Sequence, residues 1–184
     1  MKGIFGKAAT FVSALGFALI TGTASASPIV IDQWYTFGFS GSGGDPLISG
    51  SGFILGIRSL AAPDPAWTFT CSSTCTLVVT DGFLAVDQFE LFDSGSSLGS
   101  TSAPTGGSGH SCSHDEVACL ADPLMSHGTF LLAAGDHTIT GTHLIGVPGA
   151  AFFIVTVPVS VPEPASLALI GVALLMVVGI RRRA

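Results

Sequence analysis

Basic residues are nearly absent from the middle of this 184-residue chain. Between Ser27 and Val161 the only one is Arg58, against eleven carboxylates, a formal charge of −10. A nucleic-acid surface needs clustered Lys and Arg to neutralise phosphate, so that class of partner is excluded. The same deficit argues against a domain that seeks anionic lipid. Catalytic signatures are scarce as well. The chain contains no His-Glu-x-x-His and no Walker loop. No cofactor and no resident metal are expected, no residue is assigned a catalytic role, and the chain is not read as an enzyme.

Long apolar runs are confined to the two ends. Lys2 and Lys7 precede thirteen uncharged, mostly apolar residues from Ala8 to Ile20, and Ala24-Ser25-Ala26 follows. A positive start, a short apolar stretch and small residues at −3 and −1 describe a secretory signal peptide cut after Ala26 by signal peptidase. Thirteen residues are few for a membrane span. At the other end, Pro162-Glu163-Pro164 leads into sixteen uncharged residues, Ala165 to Ile180, closed by Arg181, Arg182 and Arg183. As a helix that segment is roughly 24 Å long at 1.5 Å per residue, slightly under the ~30 Å hydrocarbon core. The arginines act as a stop-transfer signal that stays cytoplasmic.

The tail resembles the PEP-CTERM sorting signal of Gram-negative bacteria in its Pro162, Glu163 and Pro164, its apolar helix and its Arg181 to Arg183 cluster. The resemblance covers about 23 residues. It implies recognition and cutting by exosortase, a membrane-embedded enzyme, after transient anchoring in the inner membrane. It also implies release to the cell surface or medium and an association with exopolysaccharide and biofilm. The alternative is a plain C-terminal anchor. The expected organisation is a signal peptide over 1–26, an exported domain over 27–160 and the sorting tail over 161–184.

The middle segment reads as strands and turns. Aromatic and β-branched residues gather in 29–39, 66–70, 76–80, 128–133, 137–144 and 150–159, and a short apolar run fills 51–57. In 86–92, Phe89 and Leu91 alternate with Gln88 and Glu90, and Asp93-Ser94-Gly95 signals a turn back into 96–101. Ala134-Gly135-Asp136 marks another turn. Eight or nine short strands at this spacing predict an all-β domain, an antiparallel β-sandwich of jelly-roll-like type, with a closed barrel as the alternative. Residues 95–122, rich in Gly and Ser, are the least regular part. The string Gln88-Phe89-Glu90-Leu91, with Asp93 after Phe92, also resembles a PEP-CTERM subgroup carrying a Gln-Phe-x-x-Asp signature. The acidic residue falls one place late.

Four cysteines, Cys71, Cys75, Cys112 and Cys119, lie in the exported part. In an oxidising compartment an even count predicts two disulfides. Three pairings exist. The local one, Cys71–Cys75 with Cys112–Cys119, is expected, because a three-residue gap suits a turn between strands ending near Thr70 and starting near Thr76. The competing chemistry is a metal site, since His110, Cys112, His114, Asp115, Glu116 and Cys119 fall within ten residues and His127 follows. Their spacing matches no zinc finger or ribbon, and no Ca²⁺ loop pattern is present. Asp87, Glu90 and Asp93 are the clustered carboxylates from which a glycosidase pair could be drawn. On one strand Asp87 and Asp93 sit about 20 Å apart, too far for that chemistry. Trp34, Tyr35 and Trp67 are the aromatics available to stack on sugar rings, which makes a small carbohydrate-binding module the second functional reading. A secreted hydrolase is the third.

Overall fold

Alternation of apolar and polar side chains sets the inner faces of two sheets. The computed structural model describes residues 27–158. In chain order its elements are β1 (Ser27–Pro28), β2 (Trp34–Phe39), β3 (Asp45–Pro46), β4 (Leu60–Ala61), β5 (Trp67–Cys71), β6 (Cys75–Asp81), β7 (Phe83–Ala85), β8 (Gln88–Asp93) and β9 (Ser96–Ser100). There follow β10 (Gly107–Ser113), the helix α1 (Glu116–Ala121), β11 (His127–Leu132), β12 (Gly135–Ile145) and β13 (Gly149–Thr156). One sheet runs β1-β5-β12-β8-β9, with β3 also on β12. The second runs β11-β6-β13-β2-β4, and β7 and β10 form a separate pair. The described part is all-β apart from the six residues of α1. The long pairings are antiparallel. The short edge pairs β1–β5 and β2–β4 are parallel.

The two large sheets share one core. Phe89 from β8 meets Phe37 from β2 edge-on at 5.3 Å, and Trp67 from β5 stacks on Phe153 from β13 at 4.3 Å. Leu77, Val79, Leu91, Ile139 and Val155 complete the layer. Edge-to-face and offset aromatic pairs add about 0.5–1.5 kcal/mol each beyond the area they bury. The strand β2 is buried on both faces because the segment from Ser49 to Ala62 covers its back: Thr36 bonds Ser59 at 2.7 Å and accepts from Gly56 N–H at 3.1 Å.

The chain crosses between sheets twice at one end. The turn from β5 to β6 is one crossing, and the turn from β11 to β12 is the other. Because β6 pairs with β11 and β5 with β12, the two crossings lie side by side. The Cys71–Cys75 disulfide spans the first. Gly135, at φ 137°, starts β12 immediately after the second. The expected turn at 134–136 is therefore a change of sheet and not a hairpin. The β8–β9 hairpin does form as read, with Ser94 at φ 49° and Gly95 at φ 82° as its central residues. Two positive φ values match the right-handed twist of the flanking strands.

Two expectations are corrected. Residues 51–57 are not a strand. They form turns that leave Ile54 68% and Ile57 59% exposed, because an apolar run without alternation has no face to commit to a sheet. Nor is the region 95–122 irregular throughout. It holds β10 and α1, whose start is capped by Asp115 accepting from Val117 N–H and Ala118 N–H.

Candidate functional site

A buried polar group lies where β6 runs out. Asp81 Oδ1 accepts from Gly82 N–H at 2.7 Å and Oδ2 from Asp87 N–H at 3.1 Å. Asp87 Oδ1 accepts from Val147 N–H at 2.8 Å and lies 3.0 Å from His143 Nε2. The other ring nitrogen of His143 bonds the Gly41 carbonyl. Asp81, Asp87 and His143 are all buried, and Phe39 packs on the His143 ring at 4.4 Å. Burial, followed by the neighbouring Asp87 charge, pushes Asp81 up to about 8, against partial relief from the amides of Asp87, Gly82 and Val86. Burial also raises Asp87, against the bonds from Val147 and His143. Burial beside a second carboxyl group favours the protonated form of Asp81 near neutral pH.

An open cavity of about 210 Å³ adjoins this group, between Gly82–Leu84 and Val147–Ala150, with Asp87 at its wall. Phe83, at φ 63°, divides it from a shallower apolar depression bounded by Phe53 and Ile54. A non-glycine residue in that region is strained, and such strain concentrates at functional sites. Both Asp81 oxygens and Asp87 Oδ1, however, are already engaged within the protein. The group can store a proton and brace the loop at Val147.

A second polar group occupies the other end of β12. His137 is held between Asp93, 2.7 Å from Nδ1, and the Ala133 carbonyl, 2.9 Å from Nε2. Burial works against its charged form, but the bonds to Asp93 and Ala133 prevail and raise its pKa. For Asp93, burial is outweighed by His137 and by Thr138 N–H, and its pKa is lowered. Among the described residues, Cys71, Cys75 and His137 are the group of potential metal ligands that converges, with their atoms within 4.8 Å of one another.

The cluster from His110 to His127 is dispersed by the fold. Cys112 and Cys119 are joined to each other, as are Cys71 and Cys75, so both local disulfides form. His110 pairs with Asp122 at 2.6 Å, and His114 bonds Ser113. Asp115 caps α1 and meets Arg58 at 3.1 Å. Glu116 turns inward and accepts from Arg58 N–H, and His127 bonds the Met125 carbonyl. Asp87, Glu90 and Asp93 each go to a different partner: Asp81 and His143, Ser97, and His137. The aromatics named for sugar stacking are mostly core: Trp67 is 1% exposed, Tyr35 is stacked on Phe153, and Trp34 is half-buried. Gly95-Ser96-Ser97-Leu98-Gly99 spells Gly-x-Ser-x-Gly, but it lies in the β8–β9 hairpin and not at a strand-to-helix elbow. Sequence reading missed the Asp81–Asp87 pair. Its only signal is two Asp residues six apart around a short apolar run.

The fold and its two disulfides thus define an all-β, disulfide-tied domain. Among the described residues no helix is long and apolar enough to cross a membrane. The signal-peptide residues 1–26, the motif Pro162, Glu163 and Pro164, the apolar helix after it and Arg181 to Arg183 lie outside the described residues. The family comparison speaks to that C-terminal part: residues 160–183 match the PEP-CTERM protein-sorting motif. The chain carries that motif, which implies processing by exosortase and export toward the cell surface. The match does not extend to Gln88–Asp93. No curated protein and no solved structure matches the chain.

Proposed function

We propose that this is an exported, non-catalytic surface or matrix protein, sorted by exosortase and associated with exopolysaccharide. In this reading signal peptidase removes residues 1–26, the tail holds the chain in the inner membrane, and exosortase then frees a jelly-roll-like β-sandwich to the outside. The observation that carries it is the sorting motif at 160–183. The chemistry of the described domain agrees in part, because both Asp81 oxygens and Asp87 Oδ1 are committed to internal bonds and Arg58 is its single Lys or Arg. Material of this kind persists in a matrix through a folded, cross-linked scaffold and needs no reaction centre.

The test is co-fractionation with exopolysaccharide. The processed protein should sediment with polysaccharide from its own host and leave the pellet when that polysaccharide is digested. If it stays soluble in the presence of intact polysaccharide, the association is wrong. A glycan array on the purified protein separates the matrix reading from the carbohydrate-binding one, since only a dedicated module retains defined oligosaccharides.

A further inference from the structure

Cys71 and Cys75 flank the tight turn between β5 and β6, and His137 stands on β12, which pairs with β5. The two sulfurs and a ring nitrogen of His137 fall within 4.8 Å of one another, and all three residues are buried. Asp93 grips the ring through Nδ1. Metal-bound imidazoles are oriented in this way, with one nitrogen on a carboxylate and the other on the metal. Two thiolates across a turn and one imidazole from the adjacent strand make a set that suits zinc, occupying three corners of a tetrahedron and leaving the fourth to water.

We infer that Cys71, Cys75 and His137 form a zinc site in the reduced chain, oriented by Asp93, and that closing the Cys71–Cys75 disulfide expels the metal. The disulfide and the zinc site are alternative states of the same residues. On zinc binding, both thiols lose their protons and His137 Nε2 exchanges the Ala133 carbonyl for the metal. On oxidation, the two thiolates give two electrons to a protein disulfide oxidant. The Cys71–Cys75 bond forms, the oxidant takes up two protons and becomes a dithiol, and Zn²⁺ leaves to solvent. The reading is independent of the matrix role proposed above.

The test uses the purified protein with Cys112→Ser and Cys119→Ser, so that only one cysteine pair remains. It is reduced with a phosphine, stripped of reductant and metal, and titrated with Zn²⁺ and in parallel with Co²⁺. One metal per chain is expected, with thiolate-to-cobalt charge-transfer bands and the visible bands of a tetrahedral site. His137→Gln should weaken zinc by at least tenfold, and Asp93→Asn by roughly 10–100-fold. Oxidation should release zinc in step with the loss of two thiols. If the reduced chain unfolds without metal, circular dichroism should show zinc refolding it, since binding and folding are then linked. Substoichiometric zinc, cobalt spectra without thiolate bands, or equal affinity in the His137→Gln chain would overturn the inference.

Discussion

Asp81→Asn should change how the domain's stability depends on pH, more than the stability at any one pH. Asp81 has a folded pKa of about 8 against 3.8 for an unperturbed Asp. The folded state therefore holds a proton that the unfolded chain has lost. The stabilisation is whole below about pH 4, falls as pH rises, and is gone above the folded value. Between those limits each pH unit removes about 1.4 kcal/mol. Asparagine does not titrate, so the difference between variant and parent should move in the variant's favour by roughly 2–3 kcal/mol from pH 5 to pH 7. A pH-independent offset lies beneath it. Asp81 accepts two amide N–H groups, whereas Asn offers one oxygen, and the unmatched donor costs about 1–3 kcal/mol. Urea unfolding of both proteins at pH 5, 6, 7 and 8 measures the slope separately from the offset. A difference that stays constant across this range would refute the raised Asp81 pKa. His137, with its raised pKa, acts in the same direction above pH 6.5 in both proteins, so it cancels in the comparison.

The other predictions concern the scaffold. Thiol titration of the denatured, exported protein should find no free cysteine, and reducing both bridges should lower stability by about 2 kcal/mol or somewhat more per bridge. Two free thiols with bound zinc would instead mean that the reduced state is the one the cell keeps. Phe37→Ala removes the ring that touches Phe39, Trp67, Phe89 and Phe153. It should cost about 3–5 kcal/mol, read as a fall in the urea midpoint with little change in slope.

The strands were legible wherever alternation and turn chemistry agreed. In β8 and β9, Phe89 and Leu91 point inward and Asp93-Ser94-Gly95 turns the chain, and each signal reinforces the other. The local disulfides were legible because short cysteine gaps on an exported chain leave little room for other pairings. Residues 51–57 misled because hydrophobicity without a period does not define a face. The helix α1 was hidden behind Gly-rich β10, with Cys119 inside it bridged back to Cys112 and Asp115 its main local mark. The partners of the acidic residues were out of reach for another reason. Asp87 meets His143 across 56 positions and Asp93 meets His137 across 44, and such pairings are set by sheet order, which no local pattern encodes.

The central claim is that the tail is a sorting signal. Pro162 and Pro164 carry no backbone N–H, so Glu163 is the residue of the motif that offers an enzyme a carboxylate to read. Glu163→Ala should leave membrane insertion intact, because hydrophobicity and the arginines drive that step, while reducing processing. The most direct measurement is a fractionation blot of the parent chain in a host with and without its exosortase. Without the enzyme, the full-length form should accumulate in the membrane. With it, a form shorter by roughly the tail should appear outside the cell. A chain that keeps its C-terminal segment and its membrane location in both hosts would contradict the account.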